Sequence, residues 1–311
     1  MTGAPPPRWL PLLELPPGAW RDAVGVFTDI DDTLTTDGAI TPDALAALAA
    51  LRAEGVRVIA VTGRPVGWSE AFALAWPLDA IVAENGAVAL VATPPAAGAG
   101  GPSSNNVISK EIERQPAPHV RSQLSKLYLD DAATRQANFA HLQRVAARIL
   151  REVPGATLAQ DSPGRETDIA IDHSEFAHLD DAQIAQVVAL MRAEGLQATV
   201  SSIHINGWIG AHNKWVGACW IARELFGIDD LAAQQQRWVF IGDSTNDQVM
   251  FQHFSQSVGV ANIARFASQL QTFPRYVTVG ERGAGFAEMA TVLLGQRRSN
   301  ARQTRSVVGR R

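Results

Sequence analysis

Four short apolar runs, each cut off by polar residues, limit what this chain can fold into more than any other feature. They are Ala23 to Phe27, Arg57 to Val61, Ala80 to Ala83 and Arg237 to Ile241. A half-exposed strand would alternate apolar and polar side chains. These runs do not, so they read as strands buried on both faces of a parallel sheet. Helical patterns lie between them. Thr41-Pro42-Asp43 opens one, with Thr41 as N-cap and Pro42 in the first turn, and Gly55 ends it. Pro65 suits the start of the next. Strand, helix, strand, helix, strand is the order of a parallel sheet with right-handed crossovers, an α/β fold.

Glu84-Asn85-Gly86-Ala87 breaks that rhythm, since Asn-Gly is the strongest short hairpin signal. The Pro/Gly/Ala/Ser-rich stretch from Thr93 to Asn106 reads as a flexible loop. Helical patterns follow at about 119–130 and 134–152, strands near 156–160 and 167–172, a helix at about 180–194 and a strand at 197–205. That order predicts an α+β insert, an antiparallel sheet with helices on one face. The earlier grammar resumes near Trp208. It gives a helix from about Asn213 to Phe226, the strand ending at Ile241, a helix after Asp247, a strand at 256–260, a helix near 264–270, a strand at 276–279 and a last helix to about Leu294. The chain therefore divides into an N-terminal extension (1–22) lying loosely on the surface, a core (23–87 and 207–295), an inserted cap (88–206) and a disordered tail (296–311) holding six Arg.

Hydrophobic content of 46% supports a sizeable core, and a net charge of −4 gives no reason to expect nucleic acid or an anionic membrane as partner. No apolar run reaches the roughly 18 residues of a membrane span. The Pro-rich N-terminus lacks the basic start of a signal peptide, and Cys219 is the only cysteine, so no internal disulfide forms and a cytoplasmic location is expected. Only Lys110, Lys126 and Lys214 are lysines among 27 basic residues, so the placement of a Lys is informative.

The chemistry lies where the apolar runs stop. In open parallel sheets ligands bind beyond the carboxyl ends of the strands. Asp29, Asp31, Asp32 and Thr33 follow the first run. In extended chain, residues two apart point the same way, so Asp29 and Asp31 share one small volume and call for a metal, a shared proton or both. An EF-hand loop is disfavoured, because Leu34 and Ile40 stand where its Gly and Glu should be. Thr62-Gly63 ends the second run at a helix start, where anions bind. Lys214 falls in the first turn of its helix, where it opposes the helix dipole and needs an anionic neighbour. On that reading Lys214→Met slightly stabilises the protein. Asp243, Asn246 and Asp247 follow the last run, more than helix capping alone needs. Carboxylates and an amide offer hard oxygens suited to Mg²⁺.

These four motifs resemble those of the haloacid dehalogenase superfamily of phosphohydrolases. Asp29-Ile30-Asp31-Asp32-Thr33 is similar to its first motif, Thr62-Gly63 to its second, Lys214 to its third and Gly242-Asp243-Ser244-Thr245-Asn246-Asp247 to its fourth. The insert before Lys214 resembles the branch, subfamily IIB, whose cap lies between the second and third motifs, which includes sucrose-phosphatase and Cof-like enzymes. The resemblance covers residues 24–295 and implies a Rossmann-like parallel-sheet core with helices on both faces plus an inserted α+β cap. It implies a phosphoric monoester hydrolase in which Asp29 attacks phosphorus. Asp31 protonates the leaving oxygen and then deprotonates water. Asp29, Asp243 and the Asp31 carbonyl hold Mg²⁺, with Asn246 or Asp247 close by, and Thr62, Gly63 N–H and Lys214 bind the phosphoryl oxygens. The chain departs from the branch at Trp215, where Gly commonly follows the Lys, and in 201–210, which lacks an acidic residue often found there.

The resemblance implies a small phosphorylated metabolite, most often a sugar phosphate, as substrate. Candidates for its recognition are Arg64 and Asn85 beside the core motifs, and Arg165, Asp168, His204 and Asn206 at strand ends of the insert. Trp208 reads as packing. Two other functions fit the same motifs: a phosphomannomutase-like phosphotransferase, and a non-catalytic phosphate-binding protein. Intact Asp31 argues against the latter, since binding alone does not need it. A mutase needs a second phosphate clamp, and Arg165 alone is thin support for one.

Overall fold

The computed structural model describes residues 9–93 and 123–308, with the side chains of Thr93 and of 299–308 outside the description. The first stretch runs through β1 (Leu10–Pro11), β2 (Gly25–Thr28), the small hairpin β3 (Thr35–Thr36) and β4 (Ala39–Ile40), α1 (Pro42–Ala53), β5 (Arg57–Val61), α2 (Val66–Ala75), β6 (Ala80–Ala83) and β7 (Val88–Thr93). The expected turn at Asn85-Gly86 joins β6 to an antiparallel β7, with Glu84, Asn85 and Gly86 all at positive φ. Thr41 stands at the N-cap of α1, but its side chain makes no capping bond.

The second stretch is β8 (Gln123–Tyr128), α3 (Ala132–Glu152), β9 (Thr157–Leu158), β10 (Asp168–Asp172), α4 (Asp181–Ala193), β11 (Gln197–Val200) and β12 (His204–Trp208). It continues as α5 (Lys214–Phe226), α6 (Leu231–Gln234), β13 (Trp238–Gly242), α7 (Gln248–His253), β14 (Ser257–Gly259), β15 (Tyr276–Val277) and α8 (Arg282–Val308).

The fold is α/β. One sheet has the order β1-β15-β14-β13-β2-β5-β6-β7-β8, parallel from β1 to β6. Its strands alternate between two cores, as the two-residue repeat of a strand requires. Val26, Val58 and Ile81 face α1, α2 and α8; Phe27, Ile59 and Val82 face α5 and α7. A second, antiparallel sheet has the order β11-β12-β10-β9. Ile169, Ile171 and Ile205 on one face pack against α3 and α4. Asp168, Asp172, His204 and Asn206 alternate with those isoleucines, and register pairs Asp172 with His204 and Asp168 with Trp208. The polar face of this sheet therefore looks towards the main sheet.

Several expectations are corrected. Residues 123–128, read as part of a helix, form β8, which pairs with β7 and extends the main sheet. Residues 88–93, read as the start of the insert, are likewise a main-sheet strand. The hydrogen bonding of an exposed antiparallel edge overrides the helical pattern there. The single strand expected at 197–205 is the hairpin β11–β12, turned at Ser201–Ile203. The helix expected near 264–270 is a short 3-10 helix at Ala261–Phe266. The extension is not loose over residues 9–22: Leu12, Leu15 and Trp20 are buried, and β1 pairs with β15. The tail is helical to Val308, since α8 does not stop near Leu294. Residues 94–106 of the expected loop lie outside the described residues. Among the described residues no helix is long and apolar enough to cross a membrane.

Candidate active site

Asp29 is the first residue after β2, and its N–H donates to the Ile241 carbonyl of β13 at 2.9 Å. This places it between the two central strands at their carboxyl ends. Asp243 is the first residue after β13, and Thr62 the first after β5. The sheet thus brings three strand ends together, and α5 supplies the fourth group. Its N-cap Asn213 accepts from Val216 N–H at 3.0 Å. A Cβ on Gly86, at φ +113°, would lie 2.4 Å from the Asn213 carbonyl, so only glycine lets the turn after β6 approach the start of α5 this closely.

That approach delivers Lys214. It is 2% exposed, and its Nζ lies 2.8 Å from Asp29 Oδ1 and 2.7 Å from Asp247 Oδ1. The compensating anion that the helix dipole called for is present twice. Burial alone would lower the Lys214 pKa, but Asp247 and Asp29 hold it above its usual value. Asp247 Oδ2 accepts from the Asp243 and Ser244 N–H groups at 2.9 and 3.2 Å.

Asp29, Asp243 and Asp247 each offer an oxygen within 4.8 Å of the others. Lys214 reaches two of these three buried carboxylates, Asp29 and Asp247. Burial, only partly offset by Lys214, raises the Asp29 pKa to about 7, and burial together with Asp29 and Asp247 pushes Asp243 well above its usual value. Asp243 Oδ2 is held by Asn262 at 3.3 Å and Arg265 at 3.2 Å. Asp243 Oδ1 is buried without a hydrogen-bond partner. An orphaned carboxylate oxygen among crowded carboxylates is the environment a hard divalent cation satisfies, so the residues fit Mg²⁺. Asp29 and Asp243 are the two that would hold it. Both oxygens of Asp247 are already engaged, so it orients Lys214 and the Asp243 backbone. Asn246 lines the same small cavity but lies outside the carboxylate trio, accepting from the Ser244 hydroxyl at 2.8 Å. The Asp31 carboxylate also lies outside the trio.

Asp29, Asp31, Thr62, Gly63 and Asn246 line one small cavity closed over by Ser201–His204 and Asn206. Asp29 and Asp31 do share a volume, although the chain turns after Ile30 and Asp32 takes φ +53°. The Thr62 hydroxyl accepts from Arg64 N–H at 3.0 Å. The Gly63 carbonyl accepts from Arg165 Nη1 at 3.0 Å and Asn206 Nδ2 at 3.2 Å. The second sheet therefore grips the turn that carries Thr62 and Gly63.

The substrate candidates do come together, but they bind each other. Arg64 donates to Asp31 through Nε and Nη2 at 3.0–3.1 Å, to Asp161 at 3.1 Å and to Glu175 at 3.0 Å. His204 Nε2 lies 2.8 Å from the other Glu175 oxygen. Arg165 pairs with Asp168 at 2.8 Å and Asp161 at 3.1 Å, while Asn85 and Asn206 reach Asp168 Oδ2 at 3.4 and 3.3 Å. Burial, outweighing Arg165, raises the Asp168 pKa to about 7. Trp208 is buried, with its indole N–H on the His212 carbonyl at 2.8 Å, which is packing.

Sequence reasoning missed Asp161, Glu175, Glu84, Asn262 and Arg265. Glu84, fully buried, accepts from Val66 N–H at 3.0 Å and from Glu166 and Thr167, tying α2 to the approach to β10. Asn262 and Arg265 follow β14 and were findable by position, because strand ends carry the site. Nothing local marks Asp161 or Glu175.

Residues 26–113 match the family described as haloacid dehalogenase-like hydrolase. No curated protein sequence matches the chain. Among solved structures, a Thermoplasma acidophilum protein superposes with TM-score 0.60 at 14% identity, covering 87% of this chain and 98% of its own. The sucrose-phosphatase of Synechocystis gives 0.56 at 15% identity, with 87% and 97% covered. A sugar phosphatase described as haloacid dehalogenase subclass IIB gives 0.53 at 14%, with 88% and 99% covered. At such identities the likeness is one of fold. The matched sequence spans the first and second motifs, and the chain as a whole is similar in fold to these solved structures.

Proposed function

We propose that this protein is a haloacid dehalogenase-like hydrolase, a Mg²⁺-dependent phosphatase that cleaves a small phosphorylated metabolite of the sugar-phosphate class through an aspartyl-phosphate on Asp29. One observation carries the reading: a buried carboxylate, Asp29, faces the same small cavity as Asp31, Thr62 and Gly63, and is held by a buried Lys214 at 2.8 Å. The names of the fold neighbours, sucrose-phosphatase and sugar phosphatase, support the substrate class.

Asp29 forms a bond to phosphorus as the ester P–O bond breaks, and Asp31 gives its proton to the leaving oxygen. Asp31 then takes a proton from water, whose oxygen attacks phosphorus and frees Asp29 and phosphate. Lys214, the Thr62 hydroxyl and the Gly63 N–H steady the phosphoryl oxygens, the positioning and charge neutralisation that phosphoryl transfer needs. Asp29, Asp243 and the Asp31 carbonyl would hold Mg²⁺, which would supply further neutralisation of that charge. Residues 201–204 and Asn206 close over the cavity at Asp29, so on this reading the second sheet opens for substrate to enter.

Chelation of divalent cations abolishes turnover, Mg²⁺ restores it, and Ca²⁺, which prefers more ligands at longer distances, restores it poorly. Circular dichroism should be unchanged throughout. Full activity in excess chelator overturns the metal requirement.

Hydrolysis is favoured over mutase chemistry because Arg165, an Arg near a strand end of the insert, is already shared among Asp161, Asp168 and the Gly63 carbonyl. A monophosphorylated hexose in ¹⁸O-water should release labelled phosphate with no bisphosphate activator. Isomerisation that outruns phosphate release and depends on bisphosphate would establish the mutase.

A further inference from the structure

Two larger cavities adjoin the small one at Asp29. One, of about 320 Å³, lies beside Lys214 and Asn246. The other, of about 540 Å³, shares Asp31, Arg64, Ser202 and Ile203 with the small cavity. The oxygen that Asp31 protonates belongs to the leaving group. The leaving group therefore belongs in the cavity that Asp31 lines, and a volume of this size suits a small ligand.

The chemistry of that cavity is specific. Four lining residues are carboxylates, Asp31, Asp32, Asp37 and Glu175, against three guanidinium groups. None of those three is at liberty to receive a new anion. Arg64 is shared among Asp31, Asp161 and Glu175. Arg265 lies 2.7 Å from Asp32 and 3.2 Å from Asp243, and Arg282 lies 3.2 Å from Asp32 and 2.7 Å from Asp37. A carboxylate or second phosphate on the leaving group would lie beside these carboxylates and would have to break paired charges. Hydroxyl groups, which donate and accept, can enter between acid and guanidinium without breaking the balance.

Phe176 adds an apolar face. It lines this cavity and is 61% exposed. The turn that bears it is pinned. Asp172, 1% exposed, accepts from the N–H groups of Ser174, Glu175, Phe176 and Ala177 at 3.1, 2.9, 2.8 and 3.1 Å. Four amides on one buried carboxylate hold the turn rigid, so covering Phe176 with a ligand costs little ordering entropy.

We propose that the turn carrying Glu175 and Phe176 is the leaving-group subsite, and that it selects an uncharged polyhydroxylated leaving group, with Phe176 under its C–H face, against an acidic one. The inference rests on the proposed phosphatase reading. Binding to the Asp29→Asn variant tests it without turnover. The probes are inorganic phosphate and three matched pairs: glycerol 3-phosphate with 3-phosphoglycerate, ribose 5-phosphate with its aldonic acid, and glucose 6-phosphate with 6-phosphogluconate. In the pairs that bind, the uncharged member should bind about tenfold tighter. Adding Phe176→Ala should weaken that member about tenfold and leave phosphate binding within twofold. A tighter acidic member, or no loss with Phe176→Ala, overturns the subsite. So does binding of phosphate with none of the six esters. Failure to bind even phosphate with Mg²⁺ present would count against the phosphatase reading itself.

Discussion

Asp29→Asn lowers turnover by roughly 10⁴-fold or more, the scale seen when a nucleophile is removed from a site whose other groups remain. The side chain keeps its size and loses its attacking charge. Steady-state rates on protein verified by mass, with deamidation to Asp excluded, check this, and near-wild-type turnover would sink the nucleophile assignment. The same substitution carries a stability signature. Burial and the neighbouring carboxylates raise the Asp29 pKa to about 7. Between the ordinary carboxylate range and that value, folded protein binds more protons than unfolded protein. Metal-free stability therefore falls as pH rises from about 4 to about 7. The Asn variant should show a shallower fall in urea melts over that window.

Lys214→Met should have the second large effect, and its stability component reverses the sequence-based expectation. A solvated cation opposing a helix dipole would be a slight liability. Lys214 is instead buried between two carboxylates at 2.7 and 2.8 Å. Removing one partner of a buried pair leaves uncompensated charge, at a cost of roughly 3–5 kcal/mol. Turnover should collapse as well, because the phosphoryl group and Asp29 lose their common counter-ion. Urea denaturation at pH 7.5 without metal measures the first effect. Adding Asp29→Asn should return part of the lost stability while leaving turnover abolished, since the pair is coupled. Unchanged kinetics and melts would return Lys214 to the role of a spectator.

The pattern of legibility follows from how local each cause is. The strands β2, β5, β6 and β13 were readable because burial on both faces writes itself as an uninterrupted apolar run. Asp29, Thr62 and Asp243 were readable because the first residue after such a run lies where parallel sheets place ligands. Lys214 was readable as needing an anion but not as buried, since its two partners come from residues 29 and 247. β8 was misread because an edge strand is fixed by its neighbour's hydrogen bonds. Asp161 and Glu175 were invisible because only the closing of the second sheet over Arg64 gives them meaning. Trp20 was missed because the segment around it is irregular, and its hydrogen-bond partners, Gln296 of α8 and Gln256, are distant in sequence.

The clasp at Trp20 also bears on how the protein is made. Trp20 N–H donates to Gln296, 276 residues away, and Arg297 reaches the Ala23 carbonyl at 2.6 Å. β2 has β13 as one of its two neighbours in the sheet. At ordinary translation speeds, on the order of 10 s or more separates the synthesis of Trp20 from that of Gln296. During that interval the strand leading to Asp29 has one unpaired edge and an uncovered apolar face. Contacts of such long sequence separation are slow to form and leave the nascent chain open to mispairing. Asp29 thus leaves the ribosome well before α8 can complete its surroundings, and the yield of folded protein in the cell hinges on what shields that strand until α8 arrives.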